Sequence, residues 1–386
     1  MEREQTFALL GISLSHFLSH AFIVSVPVLI PFLNLDFAAG GILAGVLFVS
    51  YGLTQLPSGW ISDKIGERLV LLNYLIVSAL GSVAMVLIDS FTLVLLISGA
   101  IGLAGGLYHP VGLSLVSKVF EEKRGQAMGI HGVAGNVGLA VAPPITAIVA
   151  VTFHWNFALL PIGFLAFFVS LIFLFSRSWF ENDNSIDLAE EISSVVKICP
   201  KPISKYLAFV LILSACNGII FDGVNAFMFT YLVYTRNFTE VYAGYITGFL
   251  IFAVGIASQL VFGFLVDKQG TYKTMLLSFF LLFITIGLVP FSYGGLFLIL
   301  LPFLGFALVS AQPGLNTMVA EASTEEKRGL AYGLNFFMNY GIGGLATPFV
   351  GYIADTYTAD CIFYVLVGVV LLGFLVLLRL ISRKTT

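Results

Sequence analysis

Two blocks of this chain return at one fixed offset of 204 residues. Glu121-Glu122-Lys123-Arg124-Gly125 recurs unchanged as Glu325-Glu326-Lys327-Arg328-Gly329. Gln55-Leu56, Gly59, Asp63-Lys64 and Gly66 return as Gln259-Leu260, Gly263, Asp267-Lys268 and Gly270. No insertion separates the blocks, so two halves with the same element lengths are built in tandem. The chain between them is a series of apolar runs, each long enough to cross a hydrocarbon layer about 30 Å thick. These runs of Leu, Ile, Phe, Val, Gly and Ala lack the alternation of a barrel strand, which leaves the helix as the spanning element. Hydrophobic residues make up 59% of the chain and charged residues 10%, against about 25% charged in a soluble domain. A soluble fold has too few polar residues here to cover its surface.

The pattern predicts twelve helical spans, near 7–33, 37–62, 68–88, 91–119, 123–152, 155–177, 204–234, 239–266, 272–292, 294–322, 325–356 and 359–382. They divide into an N-terminal bundle over 1–178, a hydrophilic linker over 179–203 and a C-terminal bundle over 204–386. With both termini cytoplasmic, Arg236 is the one basic residue among 18 to fall outside, as the positive-inside rule requires. The expectation is a multi-pass protein of the cell membrane. Three scattered cysteines, Cys199, Cys216 and Cys361, give neither a disulfide framework nor a zinc pattern.

Gly59-Trp60-Ile61-Ser62-Asp63-Lys64-Ile65-Gly66-Glu67-Arg68 follows span 2. It resembles the G-x-x-x-D-[RK]-x-G-[RK]-[RK] signature of the major facilitator superfamily, with Glu67 in place of a base. A weaker copy starts at Gly263 and carries Asp267 and Lys268. The resemblance implies an all-α membrane fold of two pseudo-symmetric six-helix bundles that works by alternating access. It also implies a conformational latch at the loop residues Gly59, Asp63, Lys64, Gly66, Arg68, Asp267 and Lys268, joined by Arg124 and Arg328. Physically, a carboxylate at the membrane edge can face the positive N-terminus of a neighbouring helix in one state and lose it in the other. Gly105-Gly106-Leu107-Tyr108-His109-Pro110, with Gly135-Asn136-Val137-Gly138 and Pro143-Pro144, resembles the fosmidomycin-resistance branch, which implies proton-linked drug export. Ala142 stands where exporters of the family usually carry glycine before the proline.

Polar side chains inside the bilayer are costly and therefore informative. Spans 3, 6, 9 and 12 are almost purely apolar, and the resemblance places them against lipid. Asp222 is the one acidic residue deep in a span. A lone carboxylate in low dielectric resists ionisation, which suits a proton carrier. Ser13, His16 and His20 share one face of span 1 at spacings of three and four, and His109 lies midway along span 4. Histidine titrates near neutral pH, so Asp222, His109, His16 and His20 are the candidate proton-coupling groups. The alternative for the histidines is a neutral ring bonding a backbone carbonyl between helices. Ser13, His16, His20, Tyr108, His109, Asn217, Asp222, Asn225, Gln312, Asn316, Asn335 and Asn339 are expected to line a cavity for a partly apolar organic solute.

No Lys or Arg lies deep in a span, which disfavours anion exchangers that hold phosphate on buried arginines. No catalytic triad or nucleotide loop is present, so the chain is expected not to be an enzyme and to need no cofactor. Its driving force must then be a gradient. The favoured expectation is proton-coupled export of a small organic compound by a monomer whose partners are its solute, protons and the lipid bilayer, with no nucleic acid. The alternatives are a proton-coupled importer or facilitator of a metabolite, and a divalent metal-ion exporter using His16, His20, His109 and Asp222.

Overall fold

The structure is a computed structural model that describes residues 3–120, 124–175, 204–324 and 328–384. The expected linker over 179–203 lies outside the described residues, as do the acidic ends of the two repeated loop blocks. Every regular element among the described residues is helical. Eleven segments are long and apolar enough to cross a membrane, among them Phe91–Val119, Lys205–Tyr234, Glu240–Gln269 and Gly294–Ala322. The twelfth runs without interruption over 328–356. Asn335, Asn339, Gly341, Gly343 and Gly344 dilute its apolar character, which is why length and hydropathy alone pass over it.

The tandem repeat is visible in the backbone. Span 4 breaks at Leu107, between Phe91–Gly106 and Tyr108–Val119. Span 10 breaks at the equivalent residue, Ala311, between Gly294–Ser310 and Gln312–Ala322. The loops after spans 2 and 8 turn on Gly66 at φ 84° and Gly270 at φ 89°. That left-handed region is open to glycine at little cost and strains residues that carry a Cβ, so the motif needs glycine at both places. Lys64 Nζ sits 3.9 Å from the Trp60 ring centroid, and its counterpart Lys268 sits 5.5 Å from that of Phe264.

The halves meet along two crossed pairs, spans 2 and 11 and spans 5 and 8. Both seams are built from glycine against backbone, which lets membrane helices approach closely. A Cβ at Gly41 would lie 2.5 Å from the Thr347 carbonyl oxygen, and one at Gly45 2.8 Å from that of Gly344. Across the other seam, a Cβ at Gly244 would lie 3.0 Å from Pro144 Cα. Pro144 and Pro348, equivalent residues of the repeat, thus each face a glycine helix of the other half. Thr347 Oγ1 donates to the Gly41 carbonyl at 2.8 Å.

This packing seals the face away from the termini. At that face Asp355, at the end of span 11, accepts from the backbone N–H groups of Phe37 (3.0 Å) and Ala38 (2.7 Å) at the start of span 2. A residue of one half therefore caps a helix of the other. Tyr234 adds a bond to the Leu35 carbonyl at 3.2 Å. Towards the face of the termini spans 2 and 11 stay close, with a Cβ at Gly52 running into the Gly341 backbone nitrogen and one at Gly333 lying 3.5 Å from the Gln55 carbonyl oxygen, whereas span 5 stands clear and Cβ atoms at Gly125, Gly129 and Gly132 would meet nothing within 4 Å.

The cap has a measurable consequence. Asp36 remains the N-cap of span 2, so losing the added bonds to Asp355 costs about 1 kcal/mol, and Asp355→Ala should open the sealed face about fivefold more often. Spin labels at the exposed positions Phe153 and Tyr357, one on each half, should show a longer-distance population grow. An unchanged distance distribution would show that the cap does not hold the face shut.

Candidate functional site

A cavity of about 50 Å³ lies between the halves near mid-depth. The first half supplies His20 from span 1 and Asn136 and Leu139 from span 5. The second supplies Asn217 and Phe221 from span 7, Gln259 from span 8, Leu308, Val309 and Gln312 from span 10, and Phe336, Asn339 and Tyr340 from span 11. Amides dominate the polar part. Asn136 Nδ2 donates to Gln259 Oε1 at 3.2 Å, and Gln259 Nε2 donates to Gln312 Oε1 at 2.7 Å. This chain crosses from one half to the other, so movement of the halves must break it. Asn217 Nδ2 donates to Asn339 Oδ1 at 3.2 Å. Aromatic and aliphatic groups fill the rest of the wall, giving a neutral site with donors and acceptors at its rim.

Four of the twelve residues expected at the cavity stand on its wall: His20, Asn217, Gln312 and Asn339. Other members of the set take structural bonds. Asn335 accepts from Ser214 Oγ at 2.6 Å, Asn225 reaches the Ile23 carbonyl at 3.4 Å, and the Asn316 carbonyl accepts from Tyr332 at 3.2 Å. Tyr108 donates to the Ile12 carbonyl at 2.8 Å and ties span 4 to span 1. Ser13 is buried with its hydroxyl unpartnered. His16 and His109 lie behind His20 and off the wall, and the His109 ring stacks on Phe336 at 5.8 Å. The wall residues Asn136 and Gln259 fall outside the expected set. Asn136 was visible only within the Gly135–Gly138 motif, and Gln259 only as the repeat of Gln55.

Asp222 is fully buried, and neither carboxylate oxygen has a hydrogen-bond partner. It is also off the cavity wall. Its Oδ2 occupies the space that a Cβ at Gly343 of span 11 would take. Tyr340, on the wall, lies within electrostatic reach of it. No group here compensates a negative charge, and an uncompensated buried carboxylate costs several kcal/mol.

The histidines form one cluster. His20 Nε2 and His109 Nε2 are 3.2 Å apart. The His16 ring stacks on His131 with centroids 4.3 Å apart and meets His20 edge-on at 4.6 Å. Gly135 makes the room, since a Cβ there would lie 2.6 Å from the His16 ring.

At the loop after span 2, Glu67 departs from the basic pattern because it answers Lys118 of span 4 at 2.7 Å and accepts from Ser114 at 3.0 Å. Arg68 donates to the Phe173 and Leu174 carbonyls at 2.7 and 3.1 Å, which fastens span 3 to span 6 within one half. Asp63, Asp267, Lys268 and Arg328 are exposed at the face of the termini, while the Arg124 side chain lies outside the described residues.

A family-wide profile described as Major Facilitator Superfamily matches residues 8–346 and 243–386. The chain is 30% identical to the probable L-galactonate transporter of Escherichia coli strain K12 over 132 residues, which is 34% of this chain and 29% of that protein. It is 24% identical to the fosmidomycin resistance protein of the same strain, covering 96% of this chain and 92% of the relative. A crystal structure of the nucleoside transporter NupG superposes with a TM-score of 0.75 at 15% identity, over 96% of this chain and 99% of that one.

Proposed function

The chain belongs to the major facilitator superfamily, and we propose that it exports a small, partly apolar organic compound in exchange for protons. As a member of that family it is a multi-pass membrane transporter and not an enzyme. The finer reading rests first on Asp222, a lone carboxyl with no partner for either oxygen. In the state closed on the far face it carries the proton, because the site offers a charge nothing. Spans 7 and 11 must part around Gly218 and Gly343 before water reaches it, so proton release is tied to the movement of the halves. Coupling of this kind follows from a differential free energy between two states.

The solute site is the cavity of amides and aromatic rings. Its polar groups are amides, the Tyr340 hydroxyl and the His20 ring, with no Lys or Arg among them, which fits a neutral or weakly ionised amphipathic molecule better than a phosphate. Solute seated there competes with the Asn136–Gln259–Gln312 chain, so binding loosens the tie between the halves. The termini and the motif loops face the cytoplasm in this reading, as their basic residues require, and the protein acts as a monomer in the cell membrane. The printed names of the fosmidomycin resistance relative and of the putative multidrug resistance protein MdtD favour export.

A thermal-shift screen of small amphipathic compounds on purified protein should find stabilising ligands, by mass action. Transport of those ligands in vesicles should then respond to an imposed pH gradient. Ligands that stabilise the protein but cross membranes at the same rate with and without it would defeat the proposal. Asp63 tests the latch separately. Asp63→Asn should slow turnover several-fold with ligand Kd unchanged, because it acts on the exchange of states and stands far from the cavity. A weaker Kd with a normal turnover rate would remove it from the latch.

A further inference from the structure

We propose that His16, His20 and His109 form a binding site for a first-row divalent transition-metal ion, distinct from the proton carrier and opening onto the solute cavity through His20. Their ligand nitrogens all lie within 4.8 Å of one another. His20 Nε2 and His109 Nε2 are 3.2 Å apart. Two nitrogens bound to one tetrahedral zinc at about 2.0–2.1 Å are separated by about 3.3 Å. One Nε2 donates to the other at this spacing, and once that hydrogen moves to Nδ1 both nitrogens face an ion at the separation of a chelate edge.

The tautomer of His16 supports the same conclusion. Its Nδ1 lies 2.8 Å from the His131 carbonyl oxygen. A carbonyl only accepts, so Nδ1 carries the hydrogen and Nε2 presents its lone pair. That Nε2 is buried and has no partner. A ring N–H donated to a backbone carbonyl while the other nitrogen is left free is the usual outer support of a metal-bound histidine. A neutral histidine network has no reason to leave a lone pair unmatched in a buried place. His131 and Gly135 of span 5 hold the cluster in position, His131 by its carbonyl and stacked ring and Gly135 by its missing side chain.

Three imidazoles and no thiolate select zinc, cobalt, nickel or copper over magnesium or calcium. Three protein ligands also leave a fourth position for water or a solute donor atom. His20 lines the cavity, so the ion has a path in, and once bound it places positive charge beside a wall that otherwise lacks a cation among the described residues. All three ligands belong to spans 1 and 4 of one half, so the ion binds without bridging the moving seam.

The test is a titration of purified, tag-free protein with Co²⁺ alone, followed in the visible spectrum. Low-coordinate Co²⁺ shows intense bands that the hexaaqua ion nearly lacks. Wild-type protein should develop these bands to one equivalent, and Zn²⁺ should bleach them by displacement. His16→Gln and His109→Gln should each weaken Co²⁺ binding by at least about tenfold, since each loses one of three ligands. Asp222→Asn should leave binding unchanged, which separates this site from the transport reading. Wild-type protein that gives no bands at millimolar Co²⁺ overturns the proposal whatever the variants do. Bands that survive in a folded His16→Gln or His109→Gln protein overturn it equally.

Discussion

Asp222→Asn abolishes accumulation of solute against its gradient and leaves solute exchange intact. Each pH unit across the membrane is worth about 1.4 kcal/mol per proton, so a one-for-one exchanger concentrates its solute about tenfold per unit. Asparagine keeps the volume and polarity of the side chain but cannot take up or release a proton in this range. The carboxyl has no hydrogen-bond partner to lose, and it is fully buried between spans 7 and 11, so the substitution costs the fold little. The variant should therefore show counterflow near the wild-type rate and a solute ratio near one at every imposed pH difference. Undiminished pH-driven accumulation by the asparagine variant would remove Asp222 from the coupling step.

Gly41→Val should lock the transporter away from its closed far face and reduce transport by at least about tenfold. A Cβ at this position would lie 2.5 Å from the Thr347 carbonyl oxygen, 2.9 Å from its carbonyl carbon and 3.0 Å from Pro348 Cα. All three are backbone atoms of span 11 and cannot swing aside as a side-chain tip would. Overpacking in a well-filled interior costs about 1–3 kcal/mol, and here the cost falls on one conformation only. The equilibrium between states moves by that differential, up to about a hundredfold. Gly368→Val in span 12 is the control, because nothing lies within 4 Å of its Cβ position and it lies outside both motif copies. Spin labels at Phe153 and Tyr357 should report the open far face in the Gly41 variant and the wild-type distribution in the control. Normal transport by Gly41→Val would mean that spans 2 and 11 do not close on one another during the cycle.

The fold was legible because the repeat fixes it. An offset of 204 residues with no insertion predicts that whatever one half builds, the other builds too. The equivalent breaks at Leu107 and Ala311 and the paired turns at Gly66 and Gly270 follow that rule. The breaks themselves left no sequence signal at the residue level, since Pro110 and Pro313 only mark their neighbourhood. The cavity was less legible for a geometric reason. A helix turns by about 100° per residue, so an uncertainty of two residues in depth or phase moves a side chain to the opposite face. Polar residues in spans 7, 10 and 11 are unusual in so apolar a chain, but which of them faces the cavity depends on that phase. Asn217 and Asn339 turn inward to the wall, whereas Asn225 and Asn335 spend their amides on neighbouring helices. Leu139, Leu308 and Val309 carry no signal at all in a chain this apolar. Asp222 and the three histidines stood out by charge type alone, and the sequence had no means of showing that Asp222 sits apart from them.

Proton exchange is read directly in everted membrane vesicles holding the wild-type protein and acidified inside. A ligand from the thermal-shift screen is added outside, and lumenal pH and ligand are followed together. The ligand should accumulate about tenfold per pH unit, and its entry should raise the lumenal pH at a fixed ratio of protons to ligand. Accumulation that ignores the gradient, or ligand movement with no proton flux, would contradict proton-coupled export.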